Sequence, residues 1–175
     1  MSTNKKYGHK NKLRTNDTVS EETGTENYAQ LFSLTNQKLY TNNEVNFVDF
    51  TKNSNNAIKR TPDGKTIILP QKGVYLVDTI LTFGPIDSNF YYKFELFDTN
   101  MSSVIGTPHI FEYYTRDDNF KIEKITTSTS VILATTYYDK YIQIINRSTA
   151  PINVYNATMT ITQIAKKNCD NMFNC

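Results

Sequence analysis

Short segments in which apolar and polar residues alternate restrict the fold of this chain more than any other feature. The clearest is residues 89–97, where one face would carry Phe90, Tyr92, Phe94 and Leu96. The opposite face would carry Tyr91, Lys93 and Glu95. A period of two places successive side chains on opposite sides of a β-strand, so this segment is predicted to be a strand with one face in the core.

Similar segments recur along most of the chain. The predicted strands are residues 45–50, 65–69, 73–83, 89–97, 104–114, 121–125, 130–136, 141–146 and 152–164. Turn sequences separate them, namely Pro62-Asp63-Gly64, Pro70-Gln71-Lys72-Gly73, Gly84-Pro85, Asp98-Thr99-Asn100, Asp117-Asp118-Asn119 and Ala150-Pro151. Only residues 28–40 have a pattern compatible with a helix, and it is weak. Many short strands without helices between them predict an all-β fold, an antiparallel β-sandwich of the jelly-roll type.

The composition agrees with this fold class and excludes others. The 24 Thr, 12 Tyr and 10 Phe residues favour pleated sheet. Six Gly residues are too few for a collagen repeat, and two Cys residues are too few for a disulfide scaffold. A length of 175 residues suits one domain.

Charge divides the N-terminal region into two blocks. Residues 1–15 contain no acidic residue and five basic ones, Lys5, Lys6, Lys10, Lys12 and Arg14. Residues 16–26 contain no basic residue and four acidic ones, Asp17, Glu21, Glu22 and Glu26. Because neither block has enough apolar residues to form a core, residues 1–26 are predicted to be a flexible charged arm whose basic part docks on a neighbouring molecule.

The jelly-roll domain is predicted to span residues 27–165, followed by a tail of residues 166–175 that contains Cys169 and Cys175. Two interpretations of these cysteines stay open. They are either reduced thiols on a frayed tail or cross-links between subunits, since exposed terminal thiols reach neighbouring molecules and oxidise outside the cytosol. A bridge within the chain would close only a short loop, and two thiols cannot fill a zinc site alone.

Residue types used in catalysis are sparse. His9 lies in the arm, and His109 follows Pro108 without a motif that supplies a nucleophile or an orienting carboxylate. Residues 117–119 lack the remaining spaced ligands of a calcium loop, so a turn is the preferred interpretation. The sequence therefore predicts no enzyme activity, no cofactor, and no catalytic or metal-binding residue.

No apolar run approaches the roughly 18 residues of a membrane helix, so no membrane insertion is expected. The N-terminus begins with basic residues but has no apolar stretch behind them, which is unlike a secretory signal peptide. Synthesis in the cytoplasm is therefore expected.

Residues 63–83 resemble the central hairpin of the complement C1q and tumour-necrosis-factor (C1q/TNF) jelly-roll superfamily. Members show a turn ending in Gly, then a small or aromatic residue, then Tyr, and Gly73 and Tyr75 match this motif. Gly73 is expected to adopt a positive φ in the turn, and Tyr75 to face the core. Within the superfamily the chain looks most similar to bacterial exosporium proteins, namely the C-terminal domain of the glycoprotein BclA and short basal-layer anchoring proteins. Residues 104–107 and 157–164 add to this resemblance, which covers residues 45–165.

The resemblance implies a trimer with aromatic residues around its three-fold axis. Three tyrosine pairs are the candidates for subunit contacts, Tyr91 and Tyr92, Tyr113 and Tyr114, and Tyr137 and Tyr138. In a strand, one member of each pair points inward and the other outward. Outward tyrosines suit an interface, since Tyr is enriched there, but they are equally compatible with a composition that is simply rich in Tyr.

Together these observations favour a non-enzymatic structural protein that self-assembles as a homo-oligomer in a bacterial spore-surface layer or appendage. The alternative is a viral structural protein, located in a virion, whose basic arm binds nucleic acid. Five positive charges are few for that role, and the acidic block offsets most of them. A third hypothesis is a secreted adhesin or toxin-like ligand that uses exposed loops such as residues 115–120.

Overall fold

The predicted alternation is present in the strands of the computed structural model, which describes residues 27–52, 57–85, 91–105, 111–114 and 124–166. These residues form twelve β-strands and no helix. The strands are β1 (Tyr28–Ser33), β2 (Gln37–Leu39), β3 (Asp49–Lys52), β4 (Lys59–Arg60), β5 (Ile67–Leu69), β6 (Gly73–Pro85), β7 (Tyr91–Asp98), β8 (Ser103–Val104), β9 (Phe111–Tyr114), β10 (Ile125–Ala134), β11 (Lys140–Asn146) and β12 (Ile152–Lys166).

The strands form two antiparallel sheets of six strands each. Sheet I has the order β10-β6-β12-β1-β3, with β2 also paired to β12. Sheet II has the order β4-β5-β11-β7-β8, with β9 also paired to β7. Consecutive strands mostly lie in different sheets or at non-adjacent positions, so the chain crosses repeatedly between the two layers. This connectivity confirms the predicted jelly-roll sandwich.

The core lies between the sheets and is built from their inward-facing side chains. Tyr92 and Phe94 of β7 are fully or almost fully buried, as the alternation of residues 89–97 predicted. The ring of Phe83 from sheet I meets Phe94 edge-on at 5.2 Å between centroids and lies 6.0 Å from Tyr92. Such pairs add roughly 0.5–1.5 kcal/mol beyond the burial of their area, so this cluster helps to hold the two sheets together.

Two local predictions were wrong. Residues 28–40, the one segment compatible with a helix, form β1 and β2, because β1 pairs with β12 along its whole length and buries Ala29, Leu31 and Ser33. Gly84 and Pro85 are not a turn but the end of β6, where they pair with Asn153 and Ile152.

The turn before β6 also differs from the expectation for Gly73. The positive φ belongs to Lys72, at 58°, and Gly73 is not among the residues with positive φ. Gly73 is needed for another reason, because an added Cβ would lie 2.5 Å from Cε2 of Tyr75. Tyr75 itself is fully buried, as predicted. The Gly-x-Tyr motif is therefore a packing motif, in which the ring of one residue covers the backbone of the other.

Candidate subunit interface

Sheet I presents a broad face to the outside, opposite the core. The burial of β6, β10, β12 and β1 alternates, so every second residue of these strands points outward. We call these residues the outer face: Tyr28, Gln30, Phe32, Val74, Leu76, Asp78, Ile80, Thr82, Thr126, Ser128, Ser130, Ile132, Ala134, Thr158, Thr160 and Thr162. Asp78 is the one charged residue among them, and the others are apolar residues, hydroxyl-bearing residues and one amide. Asp49 of β3, which pairs with Phe32, adds a charge at the edge of this face.

Apolar and hydroxyl groups are mixed across this face. Leu76 of β6 lies between Ile132 of β10 and Thr162 of β12. Ile132 is 63% exposed and Ile80 is 45% exposed. Burying an isoleucine side chain completely is worth roughly 1.5–3 kcal/mol, so each of these residues would stabilise a contact that covered the face.

Four polar side chains of the outer face form hydrogen bonds across adjacent strands. The hydroxyl of Ser130 donates a hydrogen bond to the carboxylate of Asp78 on the adjacent strand. The hydroxyls of Thr82 and Thr126 lie 3.0 Å apart and form a second cross-strand hydrogen bond. Because these groups already have partners, covering them costs less than covering polar groups that would be left without hydrogen bonds.

The corresponding face of sheet II is charged. Glu95 of β7 accepts a hydrogen bond from Lys93 Nζ at 2.7 Å and from Arg147 Nε at 3.0 Å. Burial alone would raise the pKa of Glu95, but these two hydrogen bonds and the two positive charges outweigh it and hold the pKa below its usual range. Glu95 was predicted to point outward and is nevertheless only 7% exposed, because the two cationic side chains cover it.

The predicted interface tyrosines do not form one patch. Tyr92 is buried in the core, which rules it out as a contact residue, and its neighbour Tyr91 is half-buried on the outside of sheet II. This pair follows the inward and outward rule. Tyr113 and Tyr114 lie in β9, where their backbones pair with Tyr92 and Tyr91, and their side chains are outside the described part.

Tyr137 and Tyr138 depart from that rule. They lie in a bend between β10 and β11 rather than in a strand, and they are 43% and 81% exposed. This bend precedes β11, whereas Tyr91 lies beside the far end of β11, so the two sites are at opposite ends of sheet II. None of the predicted tyrosines belongs to the outer face of sheet I. The burial of residues 125–134 alternates, but their sequence is a run of Thr and Ser followed by a run of apolar residues, so no apolar and polar alternation marked this strand. The predicted strands 121–125 and 130–136 covered only its two ends.

The motif residues Gly73 and Tyr75 sit in a hydrogen-bonded corner between β5 and β10. The hydroxyl of Thr135 donates to the carbonyl of Pro70 at 2.7 Å and accepts from the N–H of Gly73 at 2.9 Å. The hydroxyl of Tyr75 donates to the same Pro70 carbonyl at 3.1 Å. Burial, assisted by the negative charge of Asp139, raises the pKa of Tyr75 to about 12. This corner has the character of a structural element rather than of a reactive site.

A cavity of about 230 Å³ opens beside this corner. It is lined by Asn27, Pro70, Gln71, Lys72, Tyr75, Gln163 and Lys166. Its buried amides already pair with each other, since Asn27 donates to Gln163. Among the described residues, the lining includes no carboxylate, histidine or cysteine.

Several predicted site residues lie outside the described ranges. They are the arm residues Lys5, Lys6, Lys10, Lys12 and Arg14, the tail residues Cys169 and Cys175, both histidines, and residues 115–120. Within the described ranges, no group of His, Cys, Asp and Glu side chains is placed to hold a metal ion. The same part of the chain has no helix of the length and hydrophobicity needed to cross a membrane.

Comparison with known proteins identifies the fold. No protein-family model matches the chain, and no curated protein matches it in sequence. Among solved structures it is similar to the Eiger TNF of S. frugiperda, with a TM-score of 0.58 and 9% identity over 81% of this chain and 94% of that one. It is also similar to the globular domain of zebrafish complement 1qA protein, with a TM-score of 0.52 and 14% identity over 81% of this chain and 99% of that one. The protein therefore has the C1q/TNF-like jelly-roll fold.

Proposed function

We propose that this chain is a non-enzymatic structural protein that self-assembles through the outer face of sheet I. The observation that carries the proposal is the difference between the two sheets. The outside of sheet II carries Lys93, Glu95 and Arg147 in ion pairs, whereas the outer face exposes mainly apolar and hydroxyl groups around a single carboxylate, Asp78. Depletion of charge at the centre of a surface patch is characteristic of subunit interfaces.

The oligomer is a trimer in this proposal. Closed cyclic assemblies are the common outcome when identical subunits associate, and the resemblance to the C1q/TNF superfamily implies three copies around one axis. The spore surface is the location that the resemblance to exosporium proteins favours. Such a building block needs no cofactor and no catalytic residue.

The termini are proposed to link subunits to each other. Tyr28 of β1 pairs with Thr162 of β12, and the N–H of Gln163 donates to the carbonyl of Asn27 at 2.8 Å. Asn27 and Lys166, the first and last described residues, therefore lie at the same end of the sandwich. This placement supports joint action of the basic arm, which would dock on a neighbour, and of Cys169 and Cys175, which would cross-link to one.

Light scattering of the purified protein, coupled to size-exclusion chromatography, tests the trimer. Ile80→Glu places a charge in the middle of the outer face and is expected to give monomers, because a buried carboxylate without a partner is costly. Val48→Glu is the matched control, since Val48 is 48% exposed, like Ile80 at 45%, but does not belong to the outer face. It is expected to leave the trimer intact.

A wild-type monomer, or an Ile80→Glu protein that is still trimeric, would contradict the proposed interface. Circular dichroism of each variant establishes that it is folded. Non-reducing gels of the assembled protein test the cysteines separately. Covalent multimers that disappear in Cys169→Ser and Cys175→Ser support cross-linking, and free thiols in assembled material would exclude it.

A further inference from the structure

The end of the sandwich at which Asn27 and Lys166 lie carries a group of lysines. Lys166 is the last residue of β12, and Lys72 directly precedes β6, to which that end of β12 pairs. Lys59 reaches the same end from sheet II, because the N–H of Ala57 donates to the side-chain oxygen of Asn27 at 2.7 Å. All three lysines are exposed, and we call Lys59, Lys72 and Lys166 the basic end.

Few carboxylates balance these lysines in the described part of the chain. Asp98 is already paired with Lys140, which begins β11 beside the end of β5, at 3.0 Å between Oδ2 and Nζ. Asp139 accepts a backbone hydrogen bond from the β5–β6 turn at 3.0 Å. Neither Lys59 nor Lys72 forms an ion pair with another described residue. The basic end therefore has a surplus of positive charge.

Two lysines of the basic end line the cavity of about 230 Å³. They are Lys72 and Lys166, and Asn27 belongs to the same lining. The amide of Asn27 already has partners on both sides, since it donates to Gln163 and accepts from Ala57. The lysines are the charged groups of the lining, so the cavity favours an anionic occupant over a neutral or cationic one.

We propose that the acidic block of the same chain, residues 16–26, docks on the basic end and places carboxylates at the mouth of this cavity. The carboxylates of the block are those of Asp17, Glu21, Glu22 and Glu26, and the block contains no basic residue. Opposite charge is the first reason for choosing this occupant. The second is position, because Glu26 directly precedes Asn27, which lines the cavity.

The length of chain before Asn27 is sufficient for this contact. An extended chain spans at most about 3.3–3.6 Å per residue, so Glu22 can lie up to roughly 17 Å from Asn27. Two packed sheets are about 10 Å apart, so Glu22 can reach lysines that belong to either sheet.

Covalent attachment favours the acidic block over anions in solution. Exposed ion pairs are individually weak, so a dissolved carboxylate or phosphate would bind the basic end only at high concentration. A segment held beside its site by a short linker has an effective concentration on the order of millimolar. Residues 1–15 cannot replace the block, because their five positive charges are repelled by the same lysines.

This inference deepens the proposed docking of the basic arm on a neighbour and rests on that function only for its consequence. The acidic and basic blocks are adjacent in the sequence, so they would otherwise neutralise each other. An acidic block that is bound to the basic end leaves the charges of residues 1–15 available to another molecule. The contact itself needs no second subunit.

Carbodiimide coupling of the full chain tests the contact directly. The reagent joins a carboxylate and a lysine amine that touch, forming an amide bond while the carbodiimide takes up the water and becomes a urea. The sample is an equal mixture of ¹⁴N and ¹⁵N protein, refolded together from urea. Mass spectrometry is expected to find Glu21, Glu22 or Glu26 joined to Lys72 or Lys166 with one isotope in each product. The yield should fall in 1 M salt, where the screening length is about 3 Å.

Predominant coupling of the block to Lys5, Lys6, Lys10 or Lys12 would overturn the proposal, because the arm would then fold on itself. Products with mixed isotopes at Lys72 or Lys166 would overturn it as well, because the block would then lie on another subunit. Light scattering of the same sample reports the oligomer separately. Single-isotope coupling in a monomeric protein would refute the trimer and support this contact, and a trimer without such coupling would do the reverse.

Cleavage by a glutamate-specific protease after Glu21 and Glu22 provides a second readout. Two exposed ion pairs together change an equilibrium by roughly 2- to 30-fold, so the double variant Lys72→Gln and Lys166→Gln should be cleaved faster by a factor in this range. The matched control is Lys38→Gln with Lys124→Gln, which removes the same charge from exposed lysines at the other end of the sandwich. It should be cleaved at the wild-type rate. Equal rates for all three folded proteins would refute the contact.

Discussion

Replacing Gly73 with alanine would place a methyl group against the ring of Tyr75. The added carbon would lie 2.5 Å from Cε2 and 2.6 Å from Cζ and the hydroxyl oxygen. Carbon atoms in contact are normally about 3.5–4.0 Å apart, so the ring must move by roughly 1 Å. The ring has little room to do so, because Tyr75 is fully buried and its hydroxyl is bonded to the carbonyl of Pro70.

Three contributions determine how much Gly73→Ala lowers the free energy of unfolding. Overpacking a core typically costs about 1–3 kcal/mol, and losing the hydrogen bond to Pro70 costs about 1 kcal/mol. Alanine also restricts the unfolded chain, which returns about 0.4–1 kcal/mol where the backbone conformation is compatible. Gly73 is not among the residues with positive φ, so this gain applies. Gly73→Ala should therefore lower the free energy of unfolding by about 1–3.5 kcal/mol.

A double-mutant cycle with Tyr75→Val separates the steric effect from any other. Tyr75→Val alone destabilises the protein by about 3–5 kcal/mol, as expected for truncation of a buried aromatic residue. In that background the ring is gone, and Gly73→Ala should be neutral or slightly stabilising. Urea unfolding at a fixed protein concentration measures all four proteins. If Gly73→Ala costs the same with and without the Tyr75 ring, the packing explanation of the Gly-x-Tyr motif is refuted.

Three further outcomes are expected from buried polar groups. Because the pKa of Tyr75 is raised to about 12 from 10.0, its neutral form stabilises the fold fully below pH 10.0, and up to about 3 kcal/mol is lost as the pH rises to 12; unfolding curves of Tyr75→Phe should lack this loss. Glu95→Gln should cost about 1–3 kcal/mol at neutral pH. Since the pKa of Glu95 is lowered, wild type and variant should converge as the pH falls below its ordinary value of 4.5, and a constant difference would contradict the ion-pair explanation. Thr135→Val should cost about 2 kcal/mol by leaving the N–H of Gly73 without its partner, whereas Thr135→Ser should restore most of the stability.

The alternation of apolar and polar residues identified those strands whose two faces differ most in polarity. In β7, large apolar residues face the core and polar residues face outward, so the sequence alone assigned Tyr92 and Phe94 correctly. The same rule missed β1, whose inward positions include the small residues Ala29 and Ser33. Segments as short as β2 and β4 have no periodicity to detect, and their conformation is imposed by the strands with which they pair.

The candidate interface, too, was predictable from the sequence only in part. The sequence placed Thr158, Thr160 and Thr162 on one face of a strand, but it contains no information about which strands lie side by side. Only the order β10-β6-β12-β1 brings these threonines together with Ile80 and Ile132 in a patch that is nearly free of charge. The tyrosine pairs are conspicuous in the sequence, but the sequence does not show that Tyr91 and Tyr92 lie opposite Tyr114 and Tyr113 on adjacent strands. Nor does it show that Tyr92 is buried, or that Tyr137 and Tyr138 lie in an exposed bend.

The sequence by itself determined that this protein is an all-β sandwich, since a period of two in apolar side chains can be buried only by strands. The Gly73 and Tyr75 motif was also recognisable in the sequence, but the packing of the Tyr75 ring against Gly73 was not. The tertiary structure decided which surfaces face outward and why a side chain at Gly73 would be unfavourable. These properties depend on residues far apart in the chain, and long-range strand pairing, not local preference, brings such residues into contact.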